Sequence, residues 1–100
     1  MNNLYAFIEL IREKPYLYIG DSNFSTLCNN INGYQLYCFI NNVNENLNPD
    51  WGKFQDFVAL KLNYSESTSG FKNMILERND FDEHKSLISF YDLFDLFRKD

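Results

Sequence analysis

NFSTLCNNINGYQLYCFINNVNE, residues 23–45, is the stretch on which the fold turns. Phe24, Leu27, Cys28, Ile31, Tyr34 and Cys38 recur at intervals of three, four or one, the period of a helix face. Leu36, Phe39, Ile40, Val43 and then Leu47 widen the apolar band. A helix apolar over much of its circumference is usually buried at the centre of its domain. The spacing therefore predicts a long central helix from about Asn23 to Glu45. Gly33, in its middle, costs about 1 kcal/mol relative to Ala. Either another helix crosses closely there or the helix bends, and close packing is the preferred expectation. Gly20 supplies a turn before this helix, and Asp21 or Ser22 is placed to cap it.

Working outward, Leu4, Phe7, Ile8 and Ile11 predict a first helix from Asn3 to about Glu13. Lys14-Pro15 ends it, because the residue before Pro is pushed out of the α region. Tyr16-Leu17-Tyr18-Ile19 is too short for a helix and reads as an extended connector. On the other side, Asn48-Pro49-Asp50 is a stop followed by a start, with Pro suited to the first helical position and Asn48 or Asp50 to the cap. Trp51, Phe54, Phe57, Val58 and Leu62 make a third helix amphipathic. Asn63 to Gly70 is a polar loop, from which Ser67, Thr68 or Ser69 caps a short fourth helix holding Phe71, Met74 and Ile75. Asp80 with Glu83 three residues on resembles a capping box. Leu87, Phe90, Tyr91, Phe94 and Phe97 then form one stripe on a last helix, with Ile88 and Leu96 off it. No segment alternates apolar and polar residues over a useful length. The expectation is an all-α, single-domain bundle over residues 1–100, with about five helices and a long central second helix.

At 100 residues and 11.9 kDa the chain suits one domain. Surface scaling gives roughly 6,000 Å² exposed when folded against about 17,000 Å² unfolded, enough burial for one core. Ten Phe and seven Tyr supply large buried areas. The net charge of −5 argues against binding nucleic acid, which requires Lys and Arg to neutralise phosphates, and against an anionic membrane surface. It matches a basic protein partner, although the same charge also keeps a small protein soluble. Cys28 and Cys38 on one helix would stand about 15 Å apart, too far for a disulfide, so both are expected as buried free thiols. No apolar run approaches the roughly 18 residues of a membrane span, and no basic-then-apolar leader opens the chain. Cytoplasmic location is the expectation. Asn is frequent, and a skewed genomic base composition accounts for that without a mechanism.

Little in the chain could carry chemistry. His84, in Asp82-Glu83-His84-Lys85, is the only histidine, and its acidic neighbours suit a helix first turn, where N–H groups favour carboxylates. One His and two distant Cys fall short of a zinc site, and Asp80-Phe81-Asp82-Glu83 lacks the later positions of a calcium loop. There is no Gly-rich phosphate loop and no nucleophile elbow. Asp92 and Asp95 share a helix face, but paired-carboxylate chemistry needs a cleft. No enzyme, cofactor or metal is expected. The remaining signal is acidity in the last quarter: Glu77, Asp80, Asp82, Glu83, Asp92 and Asp95, with Arg78 and Lys85 interspersed. Such a surface would steer a basic partner, and a solvated helix face has the same composition. Tyr is a frequent interface anchor, and Tyr16, Tyr18, Tyr37 and Tyr64 lie off the expected core. The expected partner-binding set is Asp80, Asp82, Glu83, Asp92, Asp95, Tyr16 and Tyr18.

Lys14-Pro15-Tyr16-Leu17-Tyr18-Ile19-Gly20 has the pattern basic–Pro–x–hydrophobic–Tyr–Ile/Leu–Gly. Ser25, Leu27 and Gly33-Tyr34 follow on a helix, then Trp51, Phe54 and Phe57-Val58, and Phe90-Tyr91-Asp92-Leu93-Phe94-Asp95 near the end. In these residues the chain resembles a family of small bacterial proteins that includes immunity proteins of contact-dependent inhibition and related polymorphic toxin systems. The resemblance covers most of the chain through structural motifs. It departs from the pattern at Tyr16-Leu17, where a Met often precedes the Tyr. It implies a non-enzymatic protein that binds and neutralises a cognate toxin, often a nuclease, and it transfers no catalytic residue. An acidic decoy or adaptor for a basic host protein is the alternative, and a homo-oligomer is left open.

Overall fold

The computed structural model describes residues 3–20 and 23–99. Among them there is no strand; six α-helices and one 3-10 turn make the fold all-α. The helices are α1 (Leu4–Glu13), α2 (Pro15–Tyr18), α3 (Phe24–Ile40), α4 (Phe54–Lys61), α5 (Gly70–Arg78) and α6 (Glu83–Arg98). Contacts divide the chain between Leu47 and Asn48 into two compact units.

In the first unit α1 packs on α3. Asn3 caps α1, its side chain accepting from the Ala6 N–H at 2.9 Å. Leu4, Tyr5, Ile8 and Ile11 are buried, as are Phe24, Leu27, Cys28 and Ile31 of α3. Phe7, expected on the buried face, is half-buried and stacks on Tyr34, with ring centroids 4.9 Å apart. Pro15 opens a single helical turn where an extended connector was expected. Its fixed φ suits a first helical position, and Leu17 N–H closes the turn on Lys14 C=O at 3.1 Å.

The long helix departs most from expectation. It is third in order, and its buried residues end at Ile31. Leu36, Phe39, Ile40 and Val43 are exposed, so α3 is not a central helix. A Cβ added at Gly33 would meet nothing within 4 Å, so among the described residues of the first unit no helix crosses there. The N-cap is Asn23, which accepts from Thr26 N–H at 3.0 Å; Asp21 and Ser22 lie outside the described residues. The helix stops at Ile40 instead of Glu45 because Asn42 turns left-handed, at φ 55°. Val43 N–H then reaches back to Cys38 C=O at 2.8 Å and Asn42 N–H to Phe39 C=O at 3.4 Å, a Schellman ending. Beyond the stop, Glu45 returns to the helices. One carboxylate oxygen accepts from Leu4 N–H at 2.9 Å, at the positive end of α1, and the other from Tyr34 Oη at 2.5 Å. Cys28 is buried and Cys38 half-buried, and neither is in a disulfide.

The second unit is built on aromatic rings. Asp50 caps a 3-10 turn, Trp51–Lys53, that leads into α4, and Pro49 precedes the helix instead of opening it. Trp51 stacks on Phe54 at 4.6 Å, and Phe54 meets Phe71, Phe90 and Phe97 edge-on at 5.1–5.7 Å. Edge-to-face and offset arrangements put positive ring edges against negative faces, adding to the area buried. Leu87, Phe90, Leu93, Phe94 and Phe97 of α6 are buried, with Tyr91 half-buried. The N-terminus of α5 is not capped by a side chain from Ser67, Thr68 or Ser69. Gln55 of α4 accepts the Phe71 N–H instead. Gly70 opens α5 at φ 84°, a conformation that disfavours any other residue.

Candidate functional site

Most expected partner-binding acids gather around the α5–α6 corner. Leu76, Glu77 and Arg78 complete α5, Asn79 is its C-cap, and Asp80 follows at φ 55°. Phe81 N–H donates to Leu76 C=O at 2.7 Å and Asp80 N–H to Glu77 C=O at 3.3 Å, again a Schellman ending. Asp80 is thus the left-handed residue that ends α5, not the cap of α6. The N-cap is Asp82, whose carboxylate accepts from Lys85 N–H at 2.8 Å. A Ser/Thr-x-x-Glu pattern and a Schellman turn both favour short polar residues here, and the spacing to Glu83 does not separate them.

Phe81, between the two aspartates, is the residue that sequence reasoning passed over. It also takes a left-handed backbone, φ 60°, which is rare for a bulky side chain. Holding an L residue there costs about 1–2 kcal/mol. Its ring is 66% exposed, so burial of the ring does little to offset that cost. Asp80 and Asp82 are exposed on either side of it in the chain, with Glu83 half-buried. Left-handed strain of this kind in non-glycine residues clusters at functional sites. In sequence the only signal was a Phe in an otherwise polar helix boundary.

The outer face of α6 carries Lys85, Ile88, Asp92, Asp95 and Leu96, with Lys99 just beyond its end, all exposed. Asp92, Asp95, Leu96 and Lys99 line a shallow depression there. Ile88 and Leu96 therefore face solvent, and the aspartates share their face with two lysines. Tyr16 and Tyr18 are exposed on α2, in the other unit. Tyr64 is differently engaged: its hydroxyl donates to Glu77, and the Arg78 guanidinium lies over its ring at 4.2 Å. That bond to a carboxylate, then burial, raises the hydroxyl pKa.

The remaining chemistry is sparse. His84 is exposed in the first turn of α6. Burial, then the Glu45 carboxylate, raises the Cys38 thiol pKa, which disfavours the reactive thiolate. Among the described residues no group of three or more His, Cys, Asp or Glu is gathered to hold a metal ion, and no helix is long and apolar enough to cross a membrane.

The chain matches no protein-family model, no curated protein and no solved structure.

Proposed function

We propose that this chain is a non-enzymatic immunity protein, acting in the cytoplasm of a bacterium, that binds and neutralises a basic protein toxin, a nuclease domain of a contact-dependent inhibition system. The observation that carries the reading is Phe81, 66% exposed and held left-handed between Asp80 and Asp82. Interfaces draw most of their energy from a few aromatic anchors inserted into desolvated pockets. Acids around such an anchor accelerate the approach of a basic partner and reject acidic ones. Phe81 would be the anchor, with Asp80, Asp82 and Glu83 around it. Asp92 and Asp95 would extend the field along α6. Tyr16 and Tyr18 would serve as anchors on the other unit. The resemblance in Lys14–Gly20 and in Phe90–Asp95 supplies the toxin class.

An acidic decoy would bind many basic proteins through charge alone. A strained apolar anchor favours one shaped partner over that alternative. The test is co-expression in bacteria with the product of the adjacent upstream gene. That product is expected to arrest growth alone and to be harmless beside this chain. Phe81→Gly is expected to lose protection while remaining folded. A product that is harmless alone, or toxicity that persists beside the wild-type chain, would falsify the reading.

A further inference from the structure

Asn32-Gly33 is the only Asn-Gly pair in the chain. Such a pair is a strong turn signal, yet here it lies in the middle of α3. Local preference and fold disagree at this point. Little beyond the pair holds the helix closed. From Asn32 to Ile40 no residue is buried, and only Tyr34 and Cys38 are half-buried. Tyr34 is the tether there: its ring stacks on Phe7 and its hydroxyl donates to Glu45. A segment with few buried contacts opens at small cost in free energy, and Gly33 lowers that cost through its freedom in the open chain. Asn32 itself is exposed. Asn30 and Asn41 return their side-chain amides to helix carbonyls, each at 2.9 Å, whereas among the described residues the Asn32 amide makes no such bond.

We infer that Asn32 is a self-modification site, converted to aspartate and isoaspartate through a cyclic imide closed by the Gly33 nitrogen. In the closed helix the Gly33 N–H is committed one turn back, in the i to i−4 pattern, and is held away from the Asn32 side chain. Opening that turn frees it. The Gly33 nitrogen gives its proton to solvent base and attacks Asn32 Cγ. The Cγ–Nδ2 bond then breaks and ammonia leaves. Water adds to either carbonyl of the ring and reopens it, so water is the only co-reactant. Gly33 has no Cβ to obstruct ring closure, which sets Asn32 apart from every other Asn in the chain. The aspartate product puts a second charge into residues 23–49, where Glu45 is the only residue charged at neutral pH. The isoaspartate product adds a carbon to the backbone, which the regular helix does not accommodate.

The full-length chain is incubated in mildly alkaline buffer and digested, and the peptide spanning Asn32 is followed by mass and by isoaspartate content. Asn32 is expected to convert faster than any other Asn. Its rate in the native chain is expected to be roughly 5–30 times slower than in concentrated guanidinium chloride, the protection given by a local opening. Gly33→Ala, which favours the helix and obstructs the ring, is expected to slow conversion by at least about fivefold, with circular dichroism unchanged. Tyr34→Phe, which lacks the bond to Glu45, is expected to speed it about fivefold. Another Asn converting ahead of Asn32 overturns the inference. So does protection of Asn32 beyond about a thousandfold, the mark of a site that reacts only when the fold is lost. Conversion of Gly33→Ala at the wild-type rate overturns it as well.

Discussion

Asn42, Asn63 and Asp80 each end a helix in the left-handed conformation, at φ 55°, 62° and 55°. Each allows the next residue's N–H to reach back five residues, to Cys38, Ala59 and Leu76 respectively. Glycine is the usual residue at this position and Asn the common substitute. The abundance of Asn therefore has a structural use that composition did not reveal. Asn3 and Asn23 cap helix starts, and Asn41 and Asn79 return side-chain amides to Tyr37 and Ile75 carbonyls. Asn63→Ala is expected to lose about 1 kcal/mol and Asn63→Gly to gain a few tenths, read by urea unfolding. Phe81 extends the argument. Phe81→Gly relieves about 1–2 kcal/mol of left-handed strain and adds back roughly 0.5–1 kcal/mol of backbone entropy cost. A net gain of up to about 1.5 kcal/mol is expected, whereas Phe81→Ala keeps the strain and is expected to gain nothing. A substitution that stabilises the fold and abolishes protection would separate an anchor from a structural residue.

At the scale of helices, α6 was legible and α3 only half so, for one reason. Periodicity reports which residues are apolar, not what covers them. The stripe Leu87, Phe90, Phe94 and Phe97 has a single face, and the structure buries it. The two bands of α3 read as a central helix, yet one is exposed. Its stop was hidden because Asn punctuates a helix less visibly than Gly or Pro. Short-range caps were half legible. Asn3 and Asp50 could be read as helix starts, whereas Gln55 and Glu45 cap from 16 and 41 residues away, and no local pattern announces them. Among the candidate acids, the sequence placed them near one corner but gave no sign of Phe81, because left-handed strain is a property of coordinates. Glu45 has a measurable consequence. Burial, then the hydrogen bond and charge of Glu45, holds the Tyr34 hydroxyl pKa well above the usual tyrosine value. The folded state thus binds that proton more tightly than the unfolded state. This contribution is intact below about pH 10 and is lost as pH rises beyond it. Chemical denaturation at about pH 8 and about pH 11 is expected to show a smaller alkaline loss for Tyr34→Phe than for wild type.

At the scale of the molecule, charge is unevenly distributed along the chain. Residues 23–49 hold one residue charged at neutral pH, Glu45, while seven of the nine Lys and Arg and ten of the fourteen Asp and Glu lie from Asn48 onward. The second unit is therefore charged with both signs, and five of its ten acids lie at the Asp80–Glu83 corner and at Asp92 and Asp95. Steering by such a field acts on encounter and is screened within about 10 Å at 0.1 M salt. Asp92→Lys with Asp95→Lys is expected to slow toxin association about tenfold at low salt, with dissociation and stability little changed. Stopped-flow mixing at rising salt checks this, since the two proteins should converge near about 0.5 M. Equal rates at low salt would move the steering field away from α6.

The reach of Glu45 also bears on how the chain is made. Leu4 emerges from the ribosome 41 residues ahead of the carboxylate that caps it. At about 10 residues per second that is an interval of roughly four seconds, against microseconds for a helix to form and melt. A ten-residue helix is marginal in isolation, so during that interval α1 opens and closes many times. Its partners on α3, Tyr34 and the Glu45 carboxylate all precede Leu47. The nascent first unit can therefore settle before the Phe-rich half has fully emerged from the ribosome. Synthesis itself then separates the assembly of the two cores in time.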